Sequence, residues 1–255
     1  MTIHQDPRAE SAVVAPAPAD YSTFLHLDAL LAATEQVPDH PDGRFFVLVH
    51  QAFEVWFELI VHELVAARTA LHADALPEAL HRLRRVVAVD RLLVTQLDTL
   101  TTISPAGFAG LRPHLGTASG FQSVRYREIE YLSGLRGRGH AVVAPPGSAA
   151  AARLDRRLRE PSLAETFRSL LHRHGVTDPV RLLHSGRPDS ALLAVAEALL
   201  DHDEAWAMWR ARHALAVERL IGHKPGTGGS AGVAYLRSRR DERFFPELWQ
   251  WRTQL

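Results

Sequence analysis

The residues whose types and spacing can do chemistry here are histidines. The chain holds 15 of them and no cysteine. Imidazole is the commonest metal ligand and the side chain that titrates nearest neutral pH. The missing cysteines exclude a disulfide framework, a cysteine zinc site, an iron–sulfur cluster and a thiolate nucleophile or haem ligand. Two histidines have informative surroundings. His50 stands one helical turn after Phe46 and close to Phe53 and Phe57, as a polar handle on an aromatic helix face. His213 follows Trp206 and Trp209 among the small residues Ala211, Ala214 and Ala216, which leave room beside it for something flat and large. A porphyrin held through an imidazole nitrogen fits that description. For both, the plain alternative is a packed core histidine.

Two further segments carry polar groups of the right kind. Arg127, in the run from Phe121 to Glu128, offers a planar fork suited to a bidentate grip on a carboxylate; the plain alternative is an arginine on a solvated helix face. The run Gly226 to Gly232 is rich in glycine, and Lys224 precedes it. A phosphate loop needs glycine-lysine-Ser/Thr leading from a strand into a helix, so that reading fails. Backbone N–H groups and the Thr227 hydroxyl can still meet a small polar ligand there. Glu54, Glu58 and His62 stand at spacings of four. A dimetal bundle requires a Glu-x-x-His motif on each of two paired helices, and Glu58 and His62 are spaced four, not three.

The elements that must position these residues read as helices. A short amphipathic segment covers Tyr21 to Thr34. A long helix spans about Gly43 to His72, with Phe46, Val49, Phe53, Phe57, Ile60, Val61 and Leu64 at helical spacing. Pro77 opens another helix that runs to about Thr101. Ser104-Pro105 is a start signal, Gly116 to Gly120 a break, and Phe121 to Leu135 helical again. Arg136 to Ser148, with its glycines and adjacent prolines, is a loop. Ala149 to Arg159, Ser162 to His174 and Ser190 to Gly222 are further helices, with a short one from about Val233. The expected fold is all-α, a bundle of long helices with short connections, comprising residues 19–255 as a single domain behind a mobile Ala/Pro-rich arm, residues 1–18.

Charge and hydropathy narrow the partners. Basic and acidic residues number 29 each, so no large basic field exists to hold nucleic acid. The stretch closest to a membrane span, Phe45 to Leu64, is interrupted by His50, Gln51, Glu54, Glu58, His62 and Glu63. Residues 1–20 have no basic region followed by an apolar one, so they do not read as a secretion signal. The expectation is a cytoplasmic protein acting on a small molecule.

Four stretches, in order, resemble the tryptophan 2,3-dioxygenase family: Phe46-Val-Leu-Val-His50-Gln-Ala-Phe-Glu-Val-Trp-Phe, Ser119-Gly-Phe-Gln-Ser-Val-Arg-Tyr-Arg127, Trp209-Arg-Ala-Arg-His213 and Lys224-Pro-Gly-Thr227-Gly-Gly-Ser. Phe244-Phe-Pro-Glu-Leu near the end belongs to the same resemblance. It implies a helical, tetrameric enzyme that encloses haem b and uses O₂ to open the indole 2,3 bond of L-tryptophan, giving N-formylkynurenine. By the same resemblance His213 is the axial iron ligand and His50 the distal residue that meets the indole N–H. Phe46 packs on the indole, Arg127 clamps the substrate carboxylate, and Thr227 meets its ammonium or carboxylate. Tyr21 and Phe24 come from the N-terminal segment of a neighbouring subunit, in a tetramer or at least a dimer that exchanges these segments.

The chain departs from the family pattern at two points near the site. Phe24 replaces the second tyrosine of the family's Tyr-x-x-Tyr-Leu, and Ala231 stands where a serine is common. The alternative reading is therefore a related haem monooxygenase that forms a 2-oxindole from tryptophan or a methylated tryptophan. A third is a helical ligand sensor without turnover.

Overall fold

The computed structural model describes residues 20–35, 37–136, 144–184 and 190–255. The expected arm, residues 1–18, lies outside them. The chain divides into two units, Met1–Val37 and Pro38–Leu255.

In the first unit the amphipathic segment is two short helices, α1 (Tyr21–Leu25) and α2 (Leu27–Ala32). Asp20 caps α1 by accepting from the Thr23 amide at 2.8 Å. His26, at φ 52°, breaks the helix between them. A left-handed non-glycine residue ends a helix because its backbone no longer continues the hydrogen-bond ladder. Tyr21, Phe24, Leu30 and Leu31 are all exposed.

In the second unit three long helices form the frame. They are α3 (Gly43–His72), α4 (Leu76–Leu100) and α10 (Ala191–Ile221). Between α4 and α10 come α5 (Pro105–Leu111), α6 (Val124–Ser133), α7 (Ala149–Arg159), α8 (Leu163–Arg173) and α9 (Pro179–His184). The chain ends in α11 (Val233–Ser238) and α12 (Pro246–Arg252). No strand occurs among the described residues, so the all-α expectation holds. The bounds of α3 are those its periodicity predicts. By contrast α6 starts at Val124, three residues later than the hydrophobic pattern suggests. Ser123 is its N-cap, accepting from the Tyr126 amide at 3.1 Å, and Phe121 lies in a preceding 3₁₀ turn. The two short helices α9 and α12 escape periodicity because each is under two turns long.

Helix α4 packs along both α3 and α10, while α6 and α8 lie on α3. Ile60, Leu64, Leu83, Leu93, Val195 and Trp206 are fully buried where these helices meet. Fully burying such side chains contributes roughly 1.5–3 kcal/mol each. By length and composition alone α3 is apolar enough to cross a membrane. Its inner face is the core of this unit, and its buried Glu63 pairs with Arg82 and Arg85 of α4 at 3.3 Å.

Candidate active site

The four sequence segments fall on three helices and one loop of the second unit. Phe46 and His50 lie on α3 with ring centroids 4.0 Å apart. His50 Nδ1 is 2.7 Å from the Phe46 carbonyl oxygen. A carbonyl only accepts, so Nδ1 carries the hydrogen and Nε2 of the neutral ring keeps its lone pair. Burial lowers the His50 pKa, partly offset by that hydrogen bond, so the ring is neutral at neutral pH. It is then an acceptor for an N–H donor.

His213 lies on α10. Burial, with a smaller contribution from the nearby His50, pushes its pKa down to about 4. The ring packs on Trp209 at 4.9 Å. Trp209 in turn meets Phe53 and Phe57 edge-on at 6.2 and 6.1 Å, which ties α10 to the aromatic face of α3. Tyr126 of α6 closes the cluster against Phe57, Trp206 and Trp209, and burial raises its hydroxyl pKa. Among the described residues the His213 imidazole has no hydrogen-bond partner, and the buried Trp209 indole N–H has none either. Ala211 and Ala214 line a concavity of about 410 Å³ with Leu215, Arg237 and Arg240.

These residues fit a haem iron. The single axial bond needs a neutral imidazole with an unused lone pair, and His213 is one. Small neighbours along α10 leave room for a flat ring. A cluster of protein ligands is not what the structure offers: no three His, Asp or Glu side chains converge among the described residues. Glu58, once a candidate carboxylate ligand, is instead ion-paired to Arg125 and Arg153.

Arg127 is buried, not on a solvated face. It donates to Glu130 one turn on at 2.5 Å, and it lies 5.7 Å from the Phe121 ring and 5.8 Å from the Tyr126 ring. Burial works against its charge, but Glu130 with Tyr126 and Tyr235 raises its pKa above the ordinary value. Glu130 is itself fully buried and also accepts from Arg239 at 3.4 Å. The sequence reading missed this carboxylate, though its i,i+3 spacing from Arg127 was visible. Arg127 opens on a cleft of about 10 Å³. That is room for about one water.

Thr227 donates to the Ala118 carbonyl at 2.7 Å, and Arg112 donates to the Pro225 carbonyl. The glycine-rich loop is thereby tied to the segment that leads into α6 and Arg127. The approach is close: a Cβ on Gly228 would sit 2.6 Å from that of Ser119. Gly232, at φ 60°, turns the chain into α11 with the Lys224 carbonyl where a Cβ would lie. Thus the structure brings Phe46, His50 and His213 into one aromatic cluster, with Arg127 joined to it through Tyr126. Thr227 reaches it through the loop before α6. Tyr21 and Phe24 belong to the other unit.

The family described as Tryptophan 2,3-dioxygenase matches residues 8–142 and 147–255. A protein named tryptophan 2,3-dioxygenase from Nocardioides sp. is 41% identical, with 92% of this chain and 94% of the relative covered. Proteins of the same name from Bacillus cereus and Caulobacter vibrioides are each 37% identical over 92% of this chain and 92% and 98% of their own. With the site geometry and these matches together, the chain belongs to the tryptophan 2,3-dioxygenase family.

Proposed function

We propose that this chain is a haem-dependent oxygenase that inserts both atoms of O₂ across the indole 2,3 bond of L-tryptophan, giving N-formylkynurenine. The observation that carries this reading is the pair of neutral imidazoles on α3 and α10. One has Nδ1 engaged and Nε2 accepting, and the other has no hydrogen-bond partner among the described residues. Haem b held by His213 would supply O₂ binding and the electrons for its activation. His50 Nε2 accepts the indole N–H, and Phe46 gives the indole an apolar wall. Arg127 meets the substrate carboxylate, whose burial is costly without a cationic partner. Thr227 holds the charged end of the amino acid from the loop side. Together these contacts fix the indole in one orientation and leave little room for water.

Tyr21 and Phe24 complete the pocket from a neighbouring subunit, in a homotetramer or at least a dimer exchanging N-terminal segments. Their exposure supports that reading. So does an exposed stripe of Leu48, Val55 and Leu59 on α3, spaced as in a helix–helix seam. The working arrangement is residues 19–255 as one haem-binding domain behind the 1–18 arm, in the cytoplasm. The relatives' names favour ring opening over oxindole formation. Product mass decides. Haem-loaded protein given L-tryptophan should yield a product two oxygen atoms heavier; one oxygen atom overturns dioxygenation, and tight binding without product overturns catalysis.

A further inference from the structure

A second histidine site lies outside the one described. His202 of α10 is fully buried and engaged on both nitrogens. Nδ1 is 2.6 Å from the Asp90 carboxylate of α4, and Nε2 is 3.0 Å from the Ser133 hydroxyl of α6. All three side chains are sealed from solvent, so a hydrolytic role for this Ser–His–Asp set is excluded by access. Nδ1 thus faces the Asp90 carboxylate and Nε2 the Ser133 hydroxyl, so both ring nitrogens are held. The set draws one residue from each of three helices. Two of those helices carry site residues, Arg127 on α6 and His213 on α10.

Helix geometry makes the connection specific. His202 and His213 are eleven residues apart, which is about three turns and roughly 16 Å along one face. Trp206 and Trp209 stand between them on that face, stacked at 5.6 Å, with His202 6.2 Å from Trp206 and Trp209 4.9 Å from His213. A rotation of α10 at His202 is therefore the same rotation at His213. Helix α4 carries no site residue, yet it grips both sides. Asp90 holds α10, and Gln96 donates to the Val49 carbonyl beside His50 at 3.0 Å.

We propose that Asp90, His202 and Ser133 form a positioning network that fixes the rotation and register of α10, and so sets the His213 imidazole against His50. It rests on His213 being the axial ligand. Apolar replacement of a buried polar network is often neutral or stabilising, which separates positioning from stability. The test compares three haem-loaded variants: Asp90→Leu with His202→Phe, Ser133→Ala alone, and Asp90→Asn, which keeps volume and an acceptor. The readouts are melting temperature, the ferrous iron–imidazole stretch by resonance Raman, amide hydrogen exchange across residues 206–217, and the separate kcat and KM for L-tryptophan.

The double variant should melt close to the parent. It should nevertheless show a displaced or broadened iron–imidazole band, faster exchange confined to residues 206–217, and a kcat lower by about tenfold or more, as for outer partners of metal ligands. Asp90→Asn should restore most of the band, and Ser133→Ala should fall between. A folded double variant with the parent's band and exchange pattern overturns the proposal. So does faster exchange spread evenly over the chain. A parallel His213→Gly sample keeps the two readings apart. If it retains the band, the axial assignment has failed, and exchange at 206–217 then decides the network by itself.

Discussion

Helix α10 carries two histidines on one face with opposite surroundings. His202 has both nitrogens engaged, no exposure and a carboxylate partner. His213 is surrounded by apolar groups and alanines, has no hydrogen-bond partner among the described residues, and resists protonation down to about pH 4. His213 is half-buried and its ring nitrogens make no hydrogen bond among the described residues, whereas native structures pair most of the polar groups they bury. The difference teaches which histidine awaits a ligand. The satisfied ring stabilises the packing of three helices, and the unsatisfied one holds a lone pair in reserve. Composition counts both alike, and so reading only His50 and His213 as significant left His202 out.

The largest expected effect breaks the open member of the pair. His213→Ala should abolish haem retention, read as loss of the Soret absorbance relative to protein, while circular dichroism stays helical. His202→Ala would instead lower the melting temperature. It deletes a buried partner of Asp90, a change that costs about 3–5 kcal/mol when it strands a buried charge. Retained Soret absorbance in His213→Ala would remove the basis of the contrast. Next in size is Arg127→Lys. A cation stays beside Glu130, but the planar fork is lost. Loss of a desolvated carboxylate contact of about 2 kcal/mol corresponds to at least roughly a thirtyfold weaker apparent affinity for L-tryptophan. The check is KM against an unchanged Soret spectrum.

The contrast also has a pH signature. In the unfolded chain His213 takes up a proton near its ordinary value of 6.5, whereas in the folded, haem-free protein it resists until about 4. Between those values the unfolded state binds more protons, so stability is full above 6.5 and is lost as pH falls towards 4. The loss is on the order of 2–3 kcal/mol at most, since the ring is only half-buried. Melting temperatures of the haem-free protein from pH 7 to 4 should fall, and His213→Ala should flatten that fall. Burial moves His50 the same way, so its ring stays an acceptor through neutral pH. Activity should persist just below pH 6.5 before declining.

The long helices were legible because their apolar residues repeat at 3 and 4 over many turns. The helix Gly43–His72 falls where that repeat places it. His50 and His213 were legible through their neighbours on the same helix, since Phe46 and Trp209 lie one turn away. Contacts between distant helices were not. Nothing near Asp90 in the chain indicates that it meets His202, 112 residues later. Arg127 was read from its type, but its burial beside Glu130 depends on how α6 packs, and that is a tertiary outcome. The break at His26 was missed because a non-glycine residue at positive φ is uncommon and nothing in the local pattern signals it.

The smallest effect concerns how the glycine-rich loop is held. The Thr227 hydroxyl donates to the Ala118 carbonyl at 2.7 Å, partly exposed. Thr227→Val keeps the branched shape and removes the donor, so the lost bond costs about 1 kcal/mol. If the hydroxyl only ties the loop to the segment before α6, the melting temperature falls by a few degrees and KM for L-tryptophan is unchanged. If it also meets the charged end of the substrate, KM rises several-fold while the iron–imidazole band stays fixed. Thr227→Ser keeps the hydroxyl and should restore KM. The second pattern is expected, because the bond holds Thr227 to the same segment that leads into Arg127. A rise in KM with Thr227→Ser as large as with Thr227→Val would show that shape, rather than the hydroxyl, matters at this position.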